Sequence, residues 1–140
     1  STVRDSIRIP TTEEYSAVRA ERRGLWVELP EDWRCPVCGR TKFEILRYGV
    51  VRSSDGKMRR RWRGSLHRHH DHGSEWSGIE VICGDCNMAD GLAKRCLNLP
   101  KDWSFSVAEL REFVTCIPHG AIERVDLDVA MDIFLESLKN

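Results

Sequence analysis

The sequence has no apolar run approaching the roughly 18 residues of a membrane-spanning helix, so no membrane span is expected. Its opening stretch, STVRDSIRIP, holds no apolar signal core, and an intracellular protein is the expectation. Net charge is also missing, because 22 basic and 22 acidic residues cancel. No extended repeat is present: LPKDW at 99–103 echoes LPEDW at 29–33, and the flanking residues do not match, so the motif reads as a reused turn. Histidine is nearly confined to one place, with His119 alone outside residues 67–72.

The 140 residues suffice for one domain with a real core, and 41% hydrophobic with 31% charged residues is ordinary for a globular protein. The expected organisation is an N-terminal helix and lead-in over 1–30, a core over 31–98 and a helical extension over 99–140. The neutral total hides an uneven distribution. Residues 40–70 hold ten Lys/Arg against Glu44 and Asp55, whereas residues 101–140 hold four Lys/Arg against eight Asp/Glu.

Thr11-x-x-Glu14 is a capping-box pattern, opening a helix over TEEYSAVRAERR that stops at Gly24. LWVELP reads as an extended lead-in. KFEILRYGVV and KMRRRWRGSLHRH read as two strands joined by SSDG, where Asp-Gly signals a hairpin. GIEVI reads as a strand, and NMADGLAKRCLNL as a helix from about Asn87. The remainder reads as helical: Ser106-x-x-Glu109 caps VAELREFVTC, Pro118 and Gly120 break it, and Asp126 or Asp128 opens DVAMDIFLESLK.

Six cysteines are present, four of them in two Cys-x-x-Cys pairs, Cys35/Cys38 and Cys83/Cys86, with 44 residues between the pairs. Without a secretory signal this spacing favours a tetrahedral metal site over disulfides. LPEDWRCPVCGR resembles half of a rubredoxin, yet the order of the knuckles differs and the second pair is followed by Asn87. A structural Zn²⁺ on four thiolates, pinning two loops together, is the better reading. His67, His69, His70 and His72 fall within six residues between the knuckles. Along a strand His67 and His69 share one face and His70 takes the other.

CPVCG, HHDH and CGDCN, in that order and followed by ADGLAKR, resemble the HNH or ββα-metal endonucleases, in particular the phage endonuclease VII group. The resemblance covers residues 35–95. It implies an α+β fold with a ββα-metal nuclease core, stapled by the four-cysteine zinc and flanked by N- and C-terminal helices. It implies hydrolysis of phosphodiester bonds in double-stranded DNA by a bacterial or phage-like protein. His70 then takes the place of the general base, and His69 and Asn87 take the places of the ligands to a catalytic divalent ion. A second register makes Asp71 the first metal ligand and His72 the base. The family's middle asparagine is missing, and Gly78 or a neighbour stands there.

A neutral imidazole can accept a proton from water near neutral pH. One divalent cation can act as Lewis acid and template at the phosphate. With one imidazole among its ligands, Mn²⁺, Co²⁺ or Ni²⁺ is expected to serve as well as Mg²⁺. The run KMRRRWR supplies Lys57, Arg59, Arg60, Arg61 and Arg63 for phosphate contact, with Arg68, Lys94 and Arg95 adding to it. Cutting both strands would suit a homodimer. The rival readings are a non-catalytic zinc-ribbon DNA-binding module and a rubredoxin-like electron carrier.

Overall fold

The computed structural model describes residues 7–73 and 80–139. The stretch that includes Gly78, and the first two residues of GIEVI, lie outside the described residues. The architecture is α+β. Helix α1 (Thr12–Glu21) is opened by a complete capping box, in which the Thr11 hydroxyl accepts from Glu14 N–H and the Glu14 carboxylate accepts from Thr11 N–H. The segment after Gly24 is not extended. Leu25–Glu28 forms a single helical turn, α2, entered through Gly24 at φ 64°. Its carbonyl ends are satisfied by a buried lysine: Lys42 Nζ donates to the carbonyls of Trp26 and Leu29, both at 2.7 Å. That long-range contact is invisible in the local sequence.

Strands β1 (Arg47–Arg52) and β2 (Met58–Arg63) form the hairpin expected around Asp55-Gly56. Its first strand starts at Arg47, after a tight turn in which Ile45 N–H donates to the Thr41 carbonyl. The second expected strand is two strands. It breaks at Gly64-Ser65, and β3 (Leu66–His69) leaves to pair with β4 (Glu80–Cys83) in a separate sheet. The break has a cause at Gly64: a Cβ there would lie 2.9 Å from Leu46 Cδ2. The Gly64 carbonyl also accepts from Trp26 Nε1 at 3.0 Å.

Helix α3 (Gly84–Cys96) starts three residues before the expected Asn87, so Cys86 and Asn87 belong to its first turn. After it, α4 (Val107–Phe113) carries the Ser106–Glu109 capping box. The expected helix through Cys116 ends early. β-Branched Val114 and Thr115 instead begin a hairpin of β5 (Val114–Cys116) and β6 (Ile122–Val125), turning at Pro118–Gly120. The Asp126 carboxylate then caps α5 (Leu127–Ser137). Both LPxDW motifs form the same turn, with Trp33 N–H donating to the Pro30 carbonyl and Trp103 N–H to the Pro100 carbonyl.

Among the described residues the strands form three two-stranded antiparallel sheets. Such ribbons are marginal alone, and the β3–β4 and β5–β6 ribbons are held by packing against α3, which touches both of them and α5. The fully buried side chains of Leu46, Ile82, Phe105 and Leu110 lie in this core. Phe105 meets Trp103 and Phe113 edge-on at 4.6 and 4.8 Å between ring centroids. Phe105→Ala should lower unfolding stability by about 3–5 kcal/mol, measured as a shift in the denaturant midpoint at unchanged m-value.

Candidate metal centre and basic cleft

The first knuckle is a tight turn: Cys35 N–H donates to the Arg40 carbonyl and Gly39 N–H to the Cys35 carbonyl, with Gly39 at φ 77°. The second knuckle runs from the end of β4 into the first turn of α3. These elements bring Cys35, Cys38, Cys83 and Cys86 together with all four sulfurs within 4.8 Å of one another. The Cys35–Cys86 and Cys38–Cys83 sulfur pairs are both 3.8 Å apart. A tetrahedral ion with Zn–S bonds of about 2.3 Å needs sulfurs about 3.8 Å apart, so the donor set fits Zn²⁺ in spacing as well as in chemistry.

Four thiolates on a divalent ion leave two negative charges in a buried place. Arg40, with its side chain 2% exposed, faces them: Nε lies 3.2 Å from Cys38 Sγ and Nη2 lies 3.3 Å from Cys83 Sγ. Burial alone would push the Arg40 pKa down, but the Cys38 and Cys83 sulfurs raise it and prevail, so it stays charged. Arg40 also donates to Asp85 at 3.0 Å, and to the carbonyls of Ile117 and Gly120 in the β5–β6 turn. As free thiols the cysteines are tightly coupled. Hydrogen bonds, from Cys116 first and then Cys35, pull Cys38 below the usual thiol range. Cys83 is pushed above that range chiefly by Cys35, and Cys86 chiefly by Cys116. Cysteine binds a metal as the thiolate, so an arriving metal displaces thiol protons and its affinity falls as pH falls.

Beside this centre, β2, β3 and the start of α3 enclose a cleft of about 370 Å³. Arg22, Arg47, Arg63, His67, Asp85 and Asn87 line it. Arg47 and Arg63 stand directly opposite each other on the β1–β2 ladder, an unfavourable like-charge pair that Asp85 partly offsets, 3.4 Å from Arg47. Gly84 lets β3 come close, because a Cβ there would meet Ser65 Oγ at 2.1 Å and His67 Nε2 at 3.5 Å. His67 Nε2 lies 3.0 Å from Ser65 Oγ.

The candidate residues separate into distinct environments. His67, exposed on β3, shares the cleft with half-buried Asn87. His69 is buried, and its Nε2 lies 2.6 Å from the Phe105 carbonyl. A carbonyl only accepts, so Nε2 carries the proton and Nδ1 keeps a lone pair. Asp90 on α3 accepts from the Phe105 N–H at 3.0 Å, so one residue joins β3 to α3. His70 is exposed just past β3. His72 faces the C-terminal elements, 2.9 Å from Glu109 Oε1 and stacked on Trp103 at 4.5 Å.

Of the basic candidates, Lys57, Arg59, Arg60, Arg61, Arg63, Arg68 and Arg95 are exposed. Arg59 pairs with Asp55, and Arg68 reaches Glu28 at 3.5 Å. Lys94 turns inward, donating to Ser104 Oγ and lying 3.6 Å from Asp90. Trp62 packs against Tyr48, and the Arg8 guanidinium stacks over both rings. Sequence reasoning missed Arg22, Arg40 and Arg47. Arg47 was recoverable from the Asp-Gly hairpin, which fixes its pairing with Arg63, whereas Arg22 and Arg40 make only long-range contacts.

No helix among the described residues is long and apolar enough to cross a membrane. No protein-family model, curated protein or solved structure matches the chain.

Two outcomes test the metal centre. Stripping the metal with a strong chelator should unfold the protein, seen as loss of the helical circular dichroism, and the metal recovered should be zinc at about one per chain. Arg40→Met should weaken zinc retention by about 10- to 100-fold in a competition titration, the usual effect of losing an outer partner of the ligands.

Proposed function

We propose that the chain is a metal-dependent endonuclease of the HNH type acting on double-stranded DNA, with the reacting phosphate held in the cleft beside the thiol centre. The observation that carries this reading is the order of β3, β4 and α3. A hairpin runs directly into a helix, and the pair is stapled at its junction by the cysteines, with His67 and Asn87 in one arginine-lined cleft. Hydrolysis needs an acceptor for the water proton, donors for phosphate oxygens and a surface for the neighbouring phosphates. His67 is an exposed imidazole in the cleft and takes the first role here in preference to His70. Arg47, Arg63 and Arg22 supply the second. The exposed arginines of β2 supply the third.

Among the described residues the thiol centre is the one group of three or more His, Cys, Asp or Glu at ligand spacing. A catalytic divalent ion would therefore draw on Asn87 and on His69 through Nδ1, and leave its other positions to phosphate and water. When bound it would supply Lewis-acid stabilisation of the phosphate. A pair of copies would suit cutting of both strands, and Leu135 on α5 with Leu138 just past its end are exposed for their contact.

A second reading, a zinc-ribbon DNA-binding module without catalysis, is favoured by one observation: His69 and His72 are both engaged by structural partners. The two readings part on a supercoiled plasmid incubated with Mg²⁺ or Mn²⁺. His67→Ala should lower cleavage by roughly two to four orders of magnitude while leaving DNA affinity near wild type. Asn87→Ala should also lose cleavage, but with partial recovery at high metal concentration. A silent His67→Ala beside a dead His70→Ala moves the base to His70. Normal cutting by all three variants removes this cleft from the chemistry, and no cutting by the wild type leaves the binding module as the better account.

The arginine ribbon has its own test. Replacing Arg59, Arg61 and Arg63 by Ala should weaken binding to unrelated DNA sequences alike and flatten the salt dependence by about one slope unit per lost phosphate contact. An unchanged slope would reduce the run to a solvated strand edge.

A further inference from the structure

The thiol centre holds more sulfur than a tetrahedral ion needs. Cys116, at the end of β5, places its Sγ 4.0 Å from Cys86 Sγ, nearly the 3.8 Å that separates sulfurs within the centre itself. Cys116 sits at a register shift in the β5–β6 ladder. A shift of this kind re-aims a side chain. The turn that follows is fastened to the same centre, because Arg40 donates to the carbonyls of Ile117 and Gly120 while it faces Cys38 and Cys83.

We propose that Cys116 is a reserve ligand of the metal centre, taking a coordination position when Cys86 gives it up. The backbone carrying Cys116 is anchored by Arg40, so a rotamer change with a small shift of the ion would close the distance. The exchange replaces one thiolate by another, with the Cys116 thiol proton passing to the departing Cys86 sulfur 4.0 Å away. The charge at the ion is unchanged, and Arg40 faces the same two excess negative charges. β5 packs on α3, so the reserve thiol comes from an element already in contact with the helix that carries Cys86. Cys96, the remaining cysteine, is exposed near the far end of α3 and stands outside this arrangement. The inference concerns the thiols alone and is independent of any nuclease activity.

The experiment compares Cys116→Ser, Cys35→Ser, Cys86→Ser and the double variant Cys86→Ser/Cys116→Ser. Zinc content is read after gel filtration, and Co²⁺ titration reads both affinity and thiolate count, because the sulfur-to-cobalt absorption grows with each thiolate bound. Cys116→Ser should keep its zinc, and Cys35→Ser should lose it. Cys86→Ser should keep a four-thiolate cobalt spectrum and metal affinity within about tenfold of wild type, and the double variant should show three thiolates and bind at least about a hundredfold more weakly. Cys86→Ser and the double variant behaving alike, in spectrum, in zinc content or in failing to fold, would overturn the proposal. So would loss of zinc from Cys116→Ser alone, or retention by Cys35→Ser.

Discussion

Everything near the cleft depends on bringing four sulfurs to one point from two turns 44 residues apart. Closing a loop of that length is entropically unfavourable, and buried sulfurs give little attraction of their own. A divalent ion held there would supply the missing free energy and fix both knuckles at once. The consequence reaches beyond the sulfurs. The first knuckle leads into the turn before β1, and the second is the junction of β4 with α3, so the arginine ribbon and the helix bearing Asn87 take their relative positions from the centre.

The electrostatics around the centre are arranged as a row of alternating charge. Arg40 faces the thiolates, Asp85 bridges Arg40 and Arg47, and Arg47 opens onto the cleft opposite Arg63. A buried arginine without such partners would be strongly destabilising. Arg40 is also the link to the C-terminal hairpin, through the carbonyls of Ile117 and Gly120. The acidic C-terminal third therefore does more than cover the core, because it completes the polar surroundings of the metal centre.

Local signals in the sequence were reliable wherever the physics is local. The Thr11 and Ser106 capping boxes, the Asp55-Gly56 turn, the paired cysteines and the two LPxDW turns depend on residues within a few positions of each other. Failures came where a distant residue decides. The strand ends at Gly64 because Leu46 and the Trp26 indole come against it. Leu25–Glu28 curls where Lys42 donates to the carbonyls of Trp26 and Leu29. The helix stops at Phe113 under the β-branched pair Val114-Thr115, a local cue that the capping box upstream outweighed. Motif order directed attention to His69 and His70, and the packing of β3 and α3 adds His67, which lines one cleft with Asn87. Alternation along β3 set His67 and His69 on one face, but only the arrival of Phe105 makes one buried and the other exposed.

Phe105 does two jobs that proteins commonly divide. Its ring is fully enclosed among aromatic neighbours, while its peptide groups receive the His69 imidazole proton and donate to the Asp90 carboxylate. The polar link between β3 and α3 is thus threaded through the apolar core rather than laid over the surface. Local fraying cannot release it: solvent reaches these hydrogen bonds only when the aromatic cluster itself opens, so they belong to the slowest-exchanging, most global unit of the fold. The orientation of β3 against α3, and with it the shape of the cleft that His67 and Asn87 line, is tied to that same core.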